Sequence, residues 1–166
     1  MPCACIMPLP DVPNVNQWGP VLWKILHALA EKYGTIVSPL FETEETITWI
    51  NIINTTGTIL PCKECRQHYE EWQKKYPPQL KNKNSSEKRI WVRHYFWSLH
   101  TDINLRNEKE NVEFNYLSTL YKSVDIVHNL RIYEKFLETF AQHNEVSIIK
   151  WKSWYSSVRK LLSIYH

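Results

Sequence analysis

Ile59-Leu60-Pro61-Cys62-Lys63-Glu64-Cys65-Arg66-Gln67-His68-Tyr69-Glu70-Glu71-Trp72-Gln73-Lys74-Lys75 is the stretch on which both fold and chemistry turn. Pro61 lacks an N–H and clashes inside a helix, so a helix can begin only after it. From Cys62 to Lys75 the composition is helical, with Tyr69 and Trp72 on one apolar side. Cys62 therefore falls at a helix N-terminus, where the helix dipole favours a thiolate. Two cysteines at this spacing can perform thiol exchange: a thiolate attacks a disulfide sulfur, and the neighbouring cysteine resolves the mixed disulfide. The same spacing also serves zinc, and Cys3 and Cys5 bring the thiols to four, the minimum for a tetrahedral site. Cys3-Ala4-Cys5, however, is one residue tighter than the usual zinc knuckle. A thioredoxin-type home for Cys-x-x-Cys needs a preceding strand inside a βαβ unit, and the flanks here read as helix.

Outward from the cysteines the pattern stays helical. Toward the N-terminus, Trp23, Leu26, Ala30 and Tyr33 recur at three- and four-residue steps from Trp18, with Pro20 suited to a first turn and Gly34 to a stop. A second helix is expected from Thr43 to Gly57, burying Ile47, Ile50 and Ile53 or Asn54. After Pro77-Pro78 and a polar loop, a long helix is expected from Glu87 to Asn107, with Trp97, His100 or Thr101, and Asn104 on one face. Phe114 to His166 reads as two more helices, one carrying Leu117, Leu120, Val124 and Val127, the other Trp154, Val158, Leu161 and Leu162. No strand alternation longer than four residues occurs, so the expected fold class is all-α, a helical bundle. Residues 1–17 hold four of the nine prolines and read as an extended arm.

Composition narrows the function. Eight Trp, nine Tyr and five Phe against three Gly suit a helical core that wraps a planar cofactor, although hydrophobic packing also uses such rings. The net charge of +3 is dispersed rather than gathered into a block, which does not read as nucleic-acid binding. No run approaches the ~20 apolar residues of a membrane span, and the N-terminus lacks the basic and apolar regions of a secretory signal. A reducing, cytoplasmic location is expected, where cysteines serve catalysis or metal binding more often than a structural framework.

Trp18-Gly19-Pro20-x-x-Trp23-x-x-x-His27-x-x-Ala30-x-x-Tyr33, then Pro61-Cys62-x-x-Cys65, then His100-x-x-x-Asn104 resembles the Erv/Alr family of FAD-linked sulfhydryl oxidases, over about Asp11 to Lys109. The Trp-Gly-Pro start and small size look like the members encoded by large cytoplasmic DNA viruses. The resemblance implies a four-helix FAD-binding core with a short fifth helix over 18–125, a C-terminal helical extension over 126–166, and a homodimer. It implies that Cys65 lies beside the flavin and that Cys62 accepts electrons from the substrate side. By the same resemblance Trp18, Gly19, Pro20, Trp23, His27 and Tyr33 pack about the FAD, His100 and Asn104 grip its adenosine part, and Lys109 approaches its polar groups. Three departures stand out: Thr101 replaces a usual asparagine, Pro20 a frequent arginine, and no cysteine follows Cys65 to form the family's second disulfide.

The implied reaction is oxidation of protein dithiols at Cys62–Cys65, with electrons passing to FAD and then to molecular oxygen to give hydrogen peroxide. Cys3 and Cys5 resemble a shuttle pair carried on a tail. Two other readings stay open from the residues alone: a zinc-binding helical adaptor without activity, and a thiol-disulfide isomerase without flavin. His68, one turn beyond Cys65, either tunes a thiolate or faces water.

Overall fold

A computed structural model describes residues 9–166, and within them the chain is all-helical. The helices are α1 (Val15–Glu31), α2 (Glu42–Thr56), α3 (Lys63–Lys75), α4 (Ser85–Arg106), α5 (Leu117–Tyr121), α6 (Ile126–Gln142) and α7 (Ile148–Ile164). Among the described residues the one β pairing is an isolated antiparallel bridge between Ile36 and Tyr165. Cys3 and Cys5 lie outside the described residues.

The starts of α1, α4 and α6 are set by side-chain capping. Asn14 accepts from the Asn16 N–H, and Gln17 reaches back to the Asn14 N–H, so α1 opens at Val15. Pro20 consequently sits in the second turn, not the first, and residues 15–17 belong to the helix instead of the arm. Asn84 and Glu87 form the same reciprocal box at the start of α4. Gly34, at φ 81, takes the left-handed conformation that closes the turn after α1, and its N–H donates to Glu45.

α1 is the central helix. Every residue from Ile25 to Glu31 is buried, because α4, α5 and α6 all pack on it. α7 packs on α2 and on α6, and one hydrophobic cluster runs through α1, α2, α4, α6 and α7. The helices beyond residue 125 therefore share the core of the preceding ones. Buried Glu31 ties three helices together: it accepts from Arg93 of α4 at 2.7 Å and from Ser118 of α5 at 2.8 Å.

Two expectations are corrected. In α2 the buried row is Trp49, Ile52, Ile53 and Thr56, while Ile47 is 61% exposed. The bulk of Trp49 and the approach of α7 set that face, not the spacing of the isoleucines. Beyond Phe114 there are three helices rather than two. Asp125 caps a new helix by accepting from the His128 N–H, so Leu117 and Val127 belong to different elements and Val127 is exposed. The face that α6 buries is Ile126, Leu130, Tyr133, Leu137 and Phe140.

Gly57, just after α2, is held by Tyr69 of α3. A Cβ there would lie 2.8 Å from Tyr69 Cδ1, and that ring cannot swing away because its hydroxyl donates to the Ile53 carbonyl at 2.7 Å. Gly57→Ala is expected to destabilise the fold by about 1–3 kcal/mol through overpacking. A thermal melt at or above the wild-type temperature would show the contact to be soft.

Candidate active site

The residues just before α3 fix the cysteines. Cys62 is the N-cap residue of α3, and its Sγ accepts the Cys65 N–H at 3.3 Å, filling the place that an oxygen takes in other helices. One guanidinium nitrogen of Arg66 donates to the carbonyls of Leu60 at 2.6 Å, Pro61 at 3.0 Å and Glu145 at 3.2 Å. The extended approach to Cys62 is thereby fastened to the turn between α6 and α7. Cys62 and Cys65 are half-buried free thiols. Burial, then the hydrogen bond and charge of Cys62, pushes the Cys65 thiol up to about 12.

Both cysteines open into a cavity of about 310 Å³ between α1, α3 and α4. α1 contributes Trp18, Gly19, Leu22, Trp23 and Leu26; α4 contributes Leu99, Ile103 and Arg106. The wall is mostly apolar with a few polar groups, the usual character of a small-molecule site. α7 supports it from behind, since Trp154 Nε1 donates to Thr56 Oγ1, and Thr56 lines the cavity.

Trp23 continues the cavity into an aromatic stack. Its ring lies 4.0 Å from His100 at an interplanar angle of 6°, and His27 stacks on Tyr121 at 4.6 Å. His27 Nε2 and His100 Nδ1 are 3.0 Å apart and share one N–H. Burial, then the charges of His100 and Arg93, push His27 down to about 3. Burial and then the Lys109 charge push His100 down to about 4. Both imidazoles are therefore neutral near pH 7, as a one-proton bond between them requires.

Asn104 acts on the loop after α4. Its amide donates to the Glu110 carbonyl at 3.2 Å, and its own backbone carbonyl accepts the Lys109 N–H at 2.9 Å. Trp97 Nε1 holds the same loop at the Val112 carbonyl.

Trp18, Gly19, Trp23, Cys62 and Cys65 thus meet at one cavity, with His27, His100, Asn104 and Lys109 around the stack beside it. Two expected residues lie elsewhere. Tyr33 is buried beyond the end of α1, its hydroxyl 3.1 Å from Thr46 Oγ1 and its ring on Trp49. Pro20 is exposed and does not line the cavity. Tyr121 was not expected; a single aromatic in a five-residue helix offers no periodicity from which to place it.

Among the described residues no group of three or more His, Cys, Asp or Glu is arranged to hold a metal. A four-thiolate site would need Cys3 and Cys5. Among the described residues no helix is long and apolar enough to cross a membrane.

Comparison with known proteins bears on this arrangement. No individual curated protein matches the sequence. Among solved structures, the yeast Erv1 core is similar with a TM-score of 0.55 at 21% identity, covering 75% of this chain and 98% of that one. At that identity the likeness speaks for the fold. The sequence model described as the Erv1 / Alr family matches residues 20–124, which run from the second turn of α1 through α5 and contain Cys62, Cys65 and the whole aromatic stack. The chain belongs to the Erv1/Alr family.

Proposed function

We propose that this chain is an FAD-dependent thiol oxidase that forms disulfides in protein substrates through Cys62 and Cys65 and reduces oxygen to hydrogen peroxide. The family is one of sulfhydryl oxidases. The observation that carries the finer reading is the opening of both cysteines into a cavity walled by Trp18 and Trp23 and continued by the stack of Trp23, His100, His27 and Tyr121. That donor set fits a flavin dinucleotide: flat rings for its aromatic parts, neutral imidazoles, and the Lys109 loop for its polar linkage. Bound there, FAD supplies a two-electron acceptor that passes its electrons to oxygen. The protein's part is to hold Cys65 at the cavity, keep Cys62 open to a substrate thiol, and fix the redox loop through Arg66.

Trp18, Gly19 and Trp23 are proposed as cavity-side contacts of the cofactor, and His27, His100, Asn104 and Lys109 as the group around its adenosine part. Tyr33 and Pro20 are assigned to the first helix's packing and surface. Domain limits of 18–125 and 126–166, homodimerisation and kinship with the viral members stand as further parts of the proposal on the strength of the resemblance, and a cytoplasmic location stands as one read from the sequence.

Oxygen consumption with dithiothreitol tests this reading, and peroxide equal to the oxygen consumed is the expected result. Thiol-disulfide exchange without peroxide would mark a flavin-free isomerase instead. Cys3→Ala with Cys5→Ala is expected to leave oxidation of dithiothreitol nearly unchanged and to slow oxidation of a folded, reduced protein, because a shuttle matters only for bulky substrates. Equal loss on both substrates would place that pair in the core site.

A further inference from the structure

His68 and Asp102 stand beside the cysteines without a part in the chemistry above. His68 follows Cys65 by three residues on α3, a spacing that brings Cβ atoms to about 5–6 Å on one helix face. His68 and Cys65 line the same cavity as Cys62. His68 Nε2 is 2.8 Å from Asp102 Oδ2 across the gap to α4, and Asp102 is held in turn by Arg106 Nε at 2.9 Å. The His68 side chain is only 16% exposed, so this is an enclosed contact. With Nε2 donating to the carboxylate, Nδ1 has no hydrogen-bond partner among the described residues and is free to carry a second proton.

The other titratable groups around the cavity are Cys62, Glu64 and Tyr69 near α3's own face and Arg106 on α4; α1 brings only apolar and aromatic side chains. Tyr133 of α6 also lies within electrostatic reach of Cys65, and its buried hydroxyl, without a partner among the described residues, can offer a neutral hydrogen bond but no positive charge. Arg106 shares Asp102 with His68, but its side chain is 60% exposed to solvent. His68, enclosed and on the helix face of Cys65, is left as the cation that can meet a negative charge there.

We propose that His68, oriented by Asp102, is the charge partner of Cys65, its imidazolium stabilising the thiolate released when Cys62 is attacked. This rests on Cys62 and Cys65 being the redox pair. In the step, a substrate thiolate attacks Cys62 Sγ and forms a new S–S bond, while the Cys62–Cys65 bond breaks and its electron pair leaves on Cys65 Sγ. One negative charge enters and one remains, with no net gain or loss of electrons or protons. The charge moves from solvent onto a half-buried sulfur, where burial opposes it. An adjacent imidazolium offsets that cost, as in other cysteine–histidine pairs whose histidine is oriented by a third group. Asp102 is a positioning residue.

The test uses protein with Cys3→Ala, Cys5→Ala and Cys62→Ser, in which Cys65 is the only cysteine, and follows its rate of alkylation by iodoacetamide near about pH 6, where imidazoles carry a proton and a raised thiol reacts only through its small thiolate fraction. The rate is expected to fall about tenfold or more with His68→Gln and to return toward the parent value with His68→Lys, which restores a cation. Asp102→Asn is expected to lower the rate when His68 is present and not in the His68→Gln background. Unchanged helicity and melting temperature establish that each variant is folded. Equal rates for the parent and the His68→Gln and His68→Lys variants, or a faster rate with His68→Gln, overturn the proposal. Equal effects of Asp102→Asn in both backgrounds remove Asp102 from it. Alkylation needs neither FAD nor oxygen. A lowered rate without peroxide production would therefore sink the oxidase reading alone, and peroxide production with equal rates would sink the role of His68 alone.

Discussion

Cys62→Ser and Cys65→Ser are each expected to abolish dithiol oxidation, lowering turnover on the order of a thousandfold or more, because two residues acting as one redox unit fail together when either is lost. Cys62 Sγ caps α3, and a serine hydroxyl can fill that N-cap position, so the helix start survives the change. Cys65 is half-buried against the cavity and contributes no side-chain bond that anchors a neighbouring element. FAD should therefore remain bound in both variants while the oxygen electrode records no turnover. Full activity in either variant would refute the assignment of the pair.

The second large effect is expected from His100→Ala combined with Asn104→Ala. His100 supplies a ring face to Trp23 and a nitrogen to His27, and Asn104 holds the loop that carries Lys109. Removing both takes away one layer of the stack and loosens the loop. FAD release and a lower melting temperature should appear together, since a ligand that binds only the folded state stabilises it by about 2.7 kcal/mol at a hundredfold excess over Kd. A double variant that keeps its FAD, and melts at the same temperature whether or not FAD is added, would show that these two residues do not hold the cofactor.

What could be read in the sequence depended on distance along the chain. Pro61 followed by a helical run placed Cys62 at a helix start, and the structure has it as the N-cap of α3. Trp23 and His27 lie one turn apart, and local helix geometry was enough to put them on one side. Tyr33 belongs to the same sequence pattern but lies ten residues beyond Trp23, about 15 Å along a helix of standard rise. It falls past the last turn of α1, where Trp49 and Thr46 of α2 receive it.

Long-range pairings carried no such signal. His68 and Asp102 are 34 residues apart, and nothing in either helix alone shows that α3 and α4 bring them to 2.8 Å. The join of α5 to α6 was hidden because Leu117, Leu120, Val124 and Val127 imitate a continuous helix face, while a single capping aspartate, Asp125, interrupts it. In α2 the isoleucine spacing found buried Ile53 but also placed exposed Ile47 on the core face, because the partner that selects the face, α7, lies far downstream in the chain. The all-helical class needed only local pattern; the way the C-terminal helices enter the core needed tertiary packing.

The visible absorption spectrum of the purified protein tests the central claim most directly. The protein is expected to be yellow, with the absorption of oxidised flavin that bleaches when dithiothreitol is added without oxygen and returns when air is admitted. A colourless protein that holds stoichiometric zinc and takes up no added FAD would contradict it.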